Sequence, residues 1–135
     1  ADLDGDDILD LAVANQANDT IDVLLGDGAG GRGDGTFTAI APVAVGSDPV
    51  ALLVADFNQD GALDLATANA ADGSVSVALG NGDGSFAPAV HHAVGGTPAG
   101  LACGHYDWDG RLDLAVSDGD GDAVVILRGT GSCTP

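Results

Sequence analysis

Asp56, Asn58, Asp60 and Asp64 hold the first, third, fifth and ninth places of the stretch Asp56-Phe57-Asn58-Gln59-Asp60-Gly61-Ala62-Leu63-Asp64-Leu65, with a glycine at the sixth. A hard cation such as Ca²⁺ takes oxygens from carboxylates, amides and backbone carbonyls. Alternate residues of a tight turn can aim Asp56, Asn58 and Asp60 at one centre. Gly61 permits the positive-φ bend, and the Ala62 carbonyl and Asp64 carboxylate would close the shell.

The pattern occurs twice more. Asp2, Asp4, Asp6 and Asp10 repeat it, with the Ile8 carbonyl in the place of Ala62 and Asp7 in the place of the glycine. Asp tolerates the left-handed conformation better than most residues. The third copy runs His105, Asp107, Asp109, Asp113, with Gly110 in place and the Arg111 carbonyl in the closing position. Imidazole suits zinc or copper better than calcium, so the third ligand set is reduced to Asp107, Asp109, Arg111 and Asp113. Ca²⁺ is therefore expected at the first two loops, with an incomplete third site. The second loop is the intact member; the first lies at the chain terminus, where fraying is expected.

Asp and Gly also make hairpins through Asx-turns, which would account for one such loop. Three copies with the same spacing, each followed by Leu and a strand, favour the metal reading. An EF-hand is excluded, since it needs a Glu at the twelfth place and flanking helices.

The elements that must carry these loops follow from the repeat. Asp10-Leu11, Asp64-Leu65 and Asp113-Leu114 recur at spacings of 54 and 49 residues, as do Gly26, Gly80 and Gly129. The difference is an insertion around Gly28 to Gly33. Each unit reads as four strands. Strand A covers Val50–Ala55 and Ala99–Gly104, small residues suited to a crowded, fully buried position. Strand B covers Leu11–Ala14, Leu65–Ala68 and Leu114–Ser117, and strand C covers Ile21–Leu25, Val75–Leu79 and Val124–Arg128. Strand D runs from Phe37 to Val45 and from Phe86 to Val94.

Four strands in about 50 residues is the pattern of a β-propeller blade. The chain is expected to be all-β, about two and a half blades of four antiparallel strands, in repeats at residues 1–48, 49–97 and 98–135. A closed propeller typically has four to eight blades, so this chain alone does not close a ring. It is a piece of a longer propeller, a subunit whose copies complete one another's blades through unpaired strand edges into a ring or filament, or a chain anchored in a partner.

Composition narrows the function classes. All 21 acidic residues are Asp, and Glu, Lys and Met are absent, which removes common helix formers and leaves turn formers. A net charge of −18 argues against nucleic acid and against anionic membranes. Three Ca²⁺ would bring −18 to −12, coupling cation binding to folding. No apolar run of membrane-spanning length and no signal peptide is present, and the absence of a starting Met suggests a processed product or part of a longer chain. Cys103 and Cys133 form one disulfide or remain two thiols.

The three loops, together with "LGNGDGSF" and "VGGTPAGLACGHYDWDGRLDLAV", resemble FG-GAP/VCBS-type repeats, the blades of the integrin α-subunit head and of many bacterial secreted and surface proteins. The resemblance covers essentially the whole chain. It implies Ca²⁺ held in the A–B loops, an extracellular or cell-surface location, and a non-enzymatic role in adhesion or in recognising a carbohydrate or protein. Related propellers include fungal sugar-binding lectins and accessory modules of secreted polysaccharide-degrading enzymes. This sequence departs from the family at His105 and in its blade count.

Other features point to weaker readings. Arg32-Gly33-Asp34 spells an integrin-recognition tripeptide on the insertion, expected to be an exposed loop, and Asn18-Asp19-Thr20 is a glycosylation sequon at a hairpin turn. Trp108 is expected to pack against a neighbouring blade rather than stack on a sugar. His91 and His92 are adjacent on a strand and should point to opposite faces, which argues against a shared transition-metal site. Asp118 to Asp122 align with the B–C hairpins of the other repeats, and no catalytic arrangement stands out from the abundant carboxylates.

Overall fold

A computed structural model describes residues 1–129. Cys133, and with it any pairing to Cys103, lies outside them. The chain is all-β among these residues, with eleven strands in three antiparallel sheets. Blade I contains β1 (Leu11–Asn15), β2 (Thr20–Ala29), β3 (Arg32–Ala39) and β4 (Val43–Ala44), with β3 and β4 both pairing β2. Blade II is β5 (Pro49–Ala55), β6 (Asp64–Asn69), β7 (Ser74–Ala78) and β8 (Val90–Ala93), paired in chain order. Blade III is β9 (Pro98–Gly104), β10 (Asp113–Asp118) and β11 (Val124–Leu127).

Register repeats as the sequence does: Leu11 opposes Leu24, Leu65 opposes Ala78, and Leu114 opposes Leu127. The N-terminal residue completes the pattern. The Asp10 N–H donates to the Ala1 carbonyl at 2.6 Å, so Ala1 meets Asp10 as Ala55 meets Asp64 and Gly104 meets Asp113.

Two apolar slabs hold the blades together. Side chains alternate across a strand, so each blade has two packing faces. Ile21 and Val23 of blade I meet Leu65 and Ala78 of blade II in one slab, with Leu3 and Val43. Ala66 and Val75 of blade II meet Leu114 and Val116 of blade III in the other. The first interface also buries a hydrogen-bonded chain. Thr67 Oγ1 donates to Asn69 Oδ1, and Asn69 Nδ2 donates to Ser74 Oγ and Ser76 Oγ at 2.9 and 2.8 Å. No described buried side-chain polar atom lacks a partner, as a low-dielectric interior requires.

Three expectations are corrected. Strand A is not fully buried: in β5 and β9 only the leading prolines, Pro49 and Pro98, are. These strands are sheet edges in an arc of three blades, with no closed ring to cover them. Strand D is not continuous. Ile40–Pro42 separates β3 from β4, while after the Gly80–Phe86 bridge Ala87–Ala89 precedes β8. Pro42 and Pro88 lie in these breaks and have no N–H for the ladder. The insertion is not a loop but an extension of the β2–β3 hairpin. It closes through Gly30 and Gly31 at φ of 62° and 72°, the positive pair that a type I′ turn needs. Arg32, Gly33 and Asp34 are exposed on it.

His91 and His92 do face opposite sides, the first bonding Ser76 Oγ and the second lining a hollow against Leu112 and Leu127. Asp118 to Asp122 do form the β10–β11 hairpin.

Candidate metal centre

The second and third acidic loops join the edge strands β5 and β9 to β6 and β10, the first leads from Ala1 into β1, and the three share one backbone. The fourth and sixth places have positive φ throughout: Gly5 and Asp7 (79° and 68°), Gln59 and Gly61 (62° and 92°), Trp108 and Gly110 (64° and 84°). The sixth place was legible from the glycine pattern. The fourth was not, because Gln and Trp ordinarily avoid this conformation.

Short Asx bonds brace the loops. Asp6 Oδ1 accepts from the Ile8 N–H at 2.8 Å, Asp60 Oδ1 from Ala62 at 2.8 Å and Asp109 Oδ1 from Arg111 at 2.9 Å. Asp2 accepts from Gly5 and Asp7, and Asp56 from Asp60 and Gly61.

The ninth-place aspartates have a role beyond the ligand expected of them. Asp10 is buried and accepts from the N–H of Leu3 at 2.6 Å and of Gly26 at 2.8 Å. Asp64 does the same with Phe57 and Gly80, both at 2.8 Å, and Asp113 with Tyr106 at 2.9 Å and Gly129 at 3.0 Å. One carboxylate thus staples the acidic loop to its own blade, at Gly26 within β2 and at Gly80 and Gly129 just past β7 and β11.

The glycines have no room for a side chain. An added Cβ would sit 2.6 Å from the Leu9 carbonyl oxygen at Gly26 and 2.6 Å from that of Leu112 at Gly129, and would strike that of Leu63 at Gly80. Their recurrence at the Asp intervals was the sequence signal for this close approach.

Where the loops part company is in what the acids face. Asp2, Asp4 and Asp10 each offer a carboxylate oxygen, all within 4.8 Å of one another, the one such group of acids, histidines or cysteines among the described residues. Burial, and then the charges of Asp6, Asp10 and Asp2, hold Asp4 above the usual carboxylate range. Asp6 is exposed and outside this trio. An all-oxygen donor set suits a hard divalent cation rather than zinc or copper. The first loop is also not frayed: Leu3 is buried, and its carbonyl accepts from the Gly84 N–H at 3.1 Å.

In the second loop Asn58 donates its amide to Asp60 Oδ2 at 2.8 Å, and Asp56, Asp60 and Asp64 do not form a comparable trio. The Ala62 N–H and this amide hold Asp60 below its ordinary value, whereas burial pushes Asp64 up.

In the third loop, positive groups from the protein itself attend the acids. His105 Nδ1 donates to the Arg111 carbonyl at 2.6 Å, since a carbonyl can only accept. That carbonyl is the one expected as a ligand. The Arg111 guanidinium lies 3.4 Å from Asp109, and Arg128 lies 3.8 Å from Asp107. The Gly129 N–H leads in holding Asp113 low, with Arg128 contributing. Trp108, expected against a blade, is 92% exposed, because no described blade follows β11.

The family model for FG-GAP-like repeat matches residues 2–67 and again 56–116, the two matches overlapping on the second acidic loop. No curated protein and no solved structure matches the chain.

Proposed function

Because the chain belongs to the FG-GAP-like repeat family, we propose that it is a calcium-stabilised, non-enzymatic β-propeller module of an extracellular protein, serving adhesion or the recognition of a carbohydrate or protein. The convergence of Asp2, Asp4 and Asp10 within 4.8 Å carries the calcium part of this reading. Asp2, Asp4 and Asp10 would hold the ion, with the Ile8 carbonyl available in the same loop. Bound Ca²⁺ would supply charge neutralisation: it would remove the mutual repulsion that adds to burial in lifting Asp4, and would favour the folded loop over the unfolded chain.

The metal's role is architectural rather than chemical. Leu3 of this loop is buried in the slab between blades I and II, so fixing the loop also fixes that packing. No helix among the described residues is long and apolar enough to cross a membrane. Between the outer strands of blades I and II lies an open hollow of about 580 Å³, lined by Pro42, Val43, Phe86, Pro88 and His91. We assign it as the first surface to probe for a ligand.

Calorimetric titration of the chelator-treated protein with CaCl₂ tests the metal assignment. Heat from a saturable site in the wild type, lost in Asp4→Asn, is the expected result. An isotherm indistinguishable from buffer would overturn it.

A further inference from the structure

The hydrogen-bonded chain buried between blades I and II runs in one direction only. Burial works to raise the Asp72 carboxyl, but the bonds from Ser74 and from the Ser47 N–H outweigh it and hold Asp72 below its ordinary value. Asp72 is thus an ionised acceptor, and Ser74 Oγ donates to it at 2.6 Å. With its proton committed, Ser74 can only accept from Asn69, which turns the Asn69 amide nitrogen towards Ser74 at 2.9 Å. The same nitrogen donates to Ser76 Oγ at 2.8 Å, and the Gly46 N–H donates to that oxygen at 3.0 Å. A hydroxyl has two acceptor positions and one proton. Both positions on Ser76 are filled, so its proton goes to Nδ1 of His91, 2.9 Å away. The neutral ring therefore carries its own proton on Nε2.

The chain holds the linker between the two blades. Residues 46–48 lead from β4 to β5. On the blade I side, Asp19 accepts from the Asp48 N–H at 2.9 Å and from Ser47 Oγ at 3.4 Å. On the blade II side, Asp72 accepts from the Ser47 N–H at 3.0 Å and Ser76 from Gly46. A Cβ at Gly46 would lie 2.6 Å from Asn69 Nδ2 and 2.8 Å from Ser74 Oγ, so the linker rests directly on the chain. The next linker has no counterpart. At the repeat interval of 49, Val125 stands where Ser76 does, and the Gly95 N–H donates instead to the Gly73 carbonyl at 3.0 Å.

We propose that His91 is a pH-sensitive clasp on this linker, closed while the ring is neutral and released when it gains a proton. An imidazolium donates from both nitrogens, and an Nδ1–H would face an oxygen whose acceptor positions are taken. Turning the Asn69 amide over would free one of them but set its carbonyl against Ser74 Oγ, whose proton is on Asp72. Two acids draw the added charge: Asp72, which interacts with the His91 charge, and Asp83, which lines the same hollow between the outer strands. Ile40 to Ala44, the blade I side of that hollow, bring no charged group, and His92 is on the other face of β8. His91 is exposed, so the protonated ring swings towards solvent and these acids. A buried proton without an acceptor is costly. The Ser76 hydroxyl turns to find one, and the Gly46 N–H loses the lone pair that held it.

Nuclear magnetic resonance on the full chain, with CaCl₂ in the buffer, tests the proposal. At about pH 8 the long-range proton–nitrogen spectrum of the His91 ring should show the Nε2–H tautomer, and the Nδ1–H tautomer overturns the proposal. Hydrogen-exchange protection of the Gly46 amide, taken relative to that of the fully buried Ala66, should fall about two- to tenfold between about pH 8 and pH 5. In His91→Asn the side-chain oxygen can accept from Ser76 but does not titrate, so the fall should be absent. Any acid effect on the first acidic loop is common to both proteins and is subtracted by this comparison. In Ser76→Ala the Gly46 amide should be poorly protected at both pH values, and dispersed amide spectra check that both variants are folded. A wild type with no fall relative to Ala66 overturns the proposal. So does a fall that persists in His91→Asn, or full Gly46 protection in Ser76→Ala.

Discussion

The first and third acidic loops have the same backbone and opposite electrostatics. Both have positive φ at their fourth and sixth places, and both end on an aspartate stapled to a glycine N–H. In the first loop, Asp2, Asp4 and Asp10 crowd together with no ion pair to an arginine among the described residues, and burial, then repulsion, lifts Asp4. In the third, His105 binds the Arg111 carbonyl, while Arg111 and Arg128 approach Asp109 and Asp107. Shape and charge are thus separable. Asx bonds and the staple make the turn, and what neutralises the acids is a further choice: internal cations in the third loop and, in our proposal, an external cation in the first.

Removing what the two loops share should have the largest effect. Asp10→Ala and Asp113→Ala each orphan two backbone N–H donors, and an unsatisfied buried donor costs about 1–3 kcal/mol. Both variants should lose about 2–6 kcal/mol in urea unfolding with chelator present. Full stability under those conditions would mean that the ninth aspartate matters only as a ligand, and the shared frame would have to be given up.

The next test concerns what the loops do not share. A ligand at one hundred times its dissociation constant stabilises by about 2.7 kcal/mol, so saturating Ca²⁺ should raise the melting temperature by several degrees over chelator. Asp4→Asn should abolish that rise and Asp107→Asn should leave it unchanged. Equal losses in both variants would place the loops in one class.

Converting one loop towards the other is a finer probe. His105→Asp removes the bond to the Arg111 carbonyl, which is worth about 0.5–1.5 kcal/mol in chelator, and restores an acid at the first place. A second calcium-dependent increment in the melting curve is expected. Its absence would show that Arg111 and Arg128, rather than His105, close the third loop to cations.

The smallest effect is expected outside both loops. The N–H groups of Thr97 and Asp120 hold Asp118, in the β10–β11 hairpin, below its ordinary value of 3.8. Its folded value is lower than its unfolded one. The stability it contributes is therefore present above the unfolded value and lost as pH falls through the folded one. Asp118→Asn should slightly flatten the acid limb of a stability–pH curve and leave the calcium response intact. An unchanged acid limb would remove this carboxylate from the account.

Repeat spacing made the fold legible. Equal intervals between Asp-Leu pairs and between glycines placed strands B and C within a residue or so, except that β2 runs on to Ala29, and Asp7 at φ 68° took the role foreseen for glycine. The breaks in strand D were harder to read, since Pro42 and Pro88 fall at different distances from Phe37 and Phe86. Within the candidate site, the ligand pattern was plain but the ranking was not. The second loop has the most regular sequence, yet the three close carboxylates belong to the first, where a sequence reading expected a frayed end. Local spacing does not reveal that Leu3 is buried against blade II or that Gly84 bonds its carbonyl.

The sequence by itself determined the repeating unit, the absence of helix among the described residues and the acidic turns, because these depend on neighbours a few residues apart. Only the tertiary structure decided which aspartates stand close without a counter-charge, which face of each blade is covered, and that Trp108 is exposed. Those depend on where one blade comes to rest against another, and packing between segments some fifty residues apart leaves no periodic mark in the sequence.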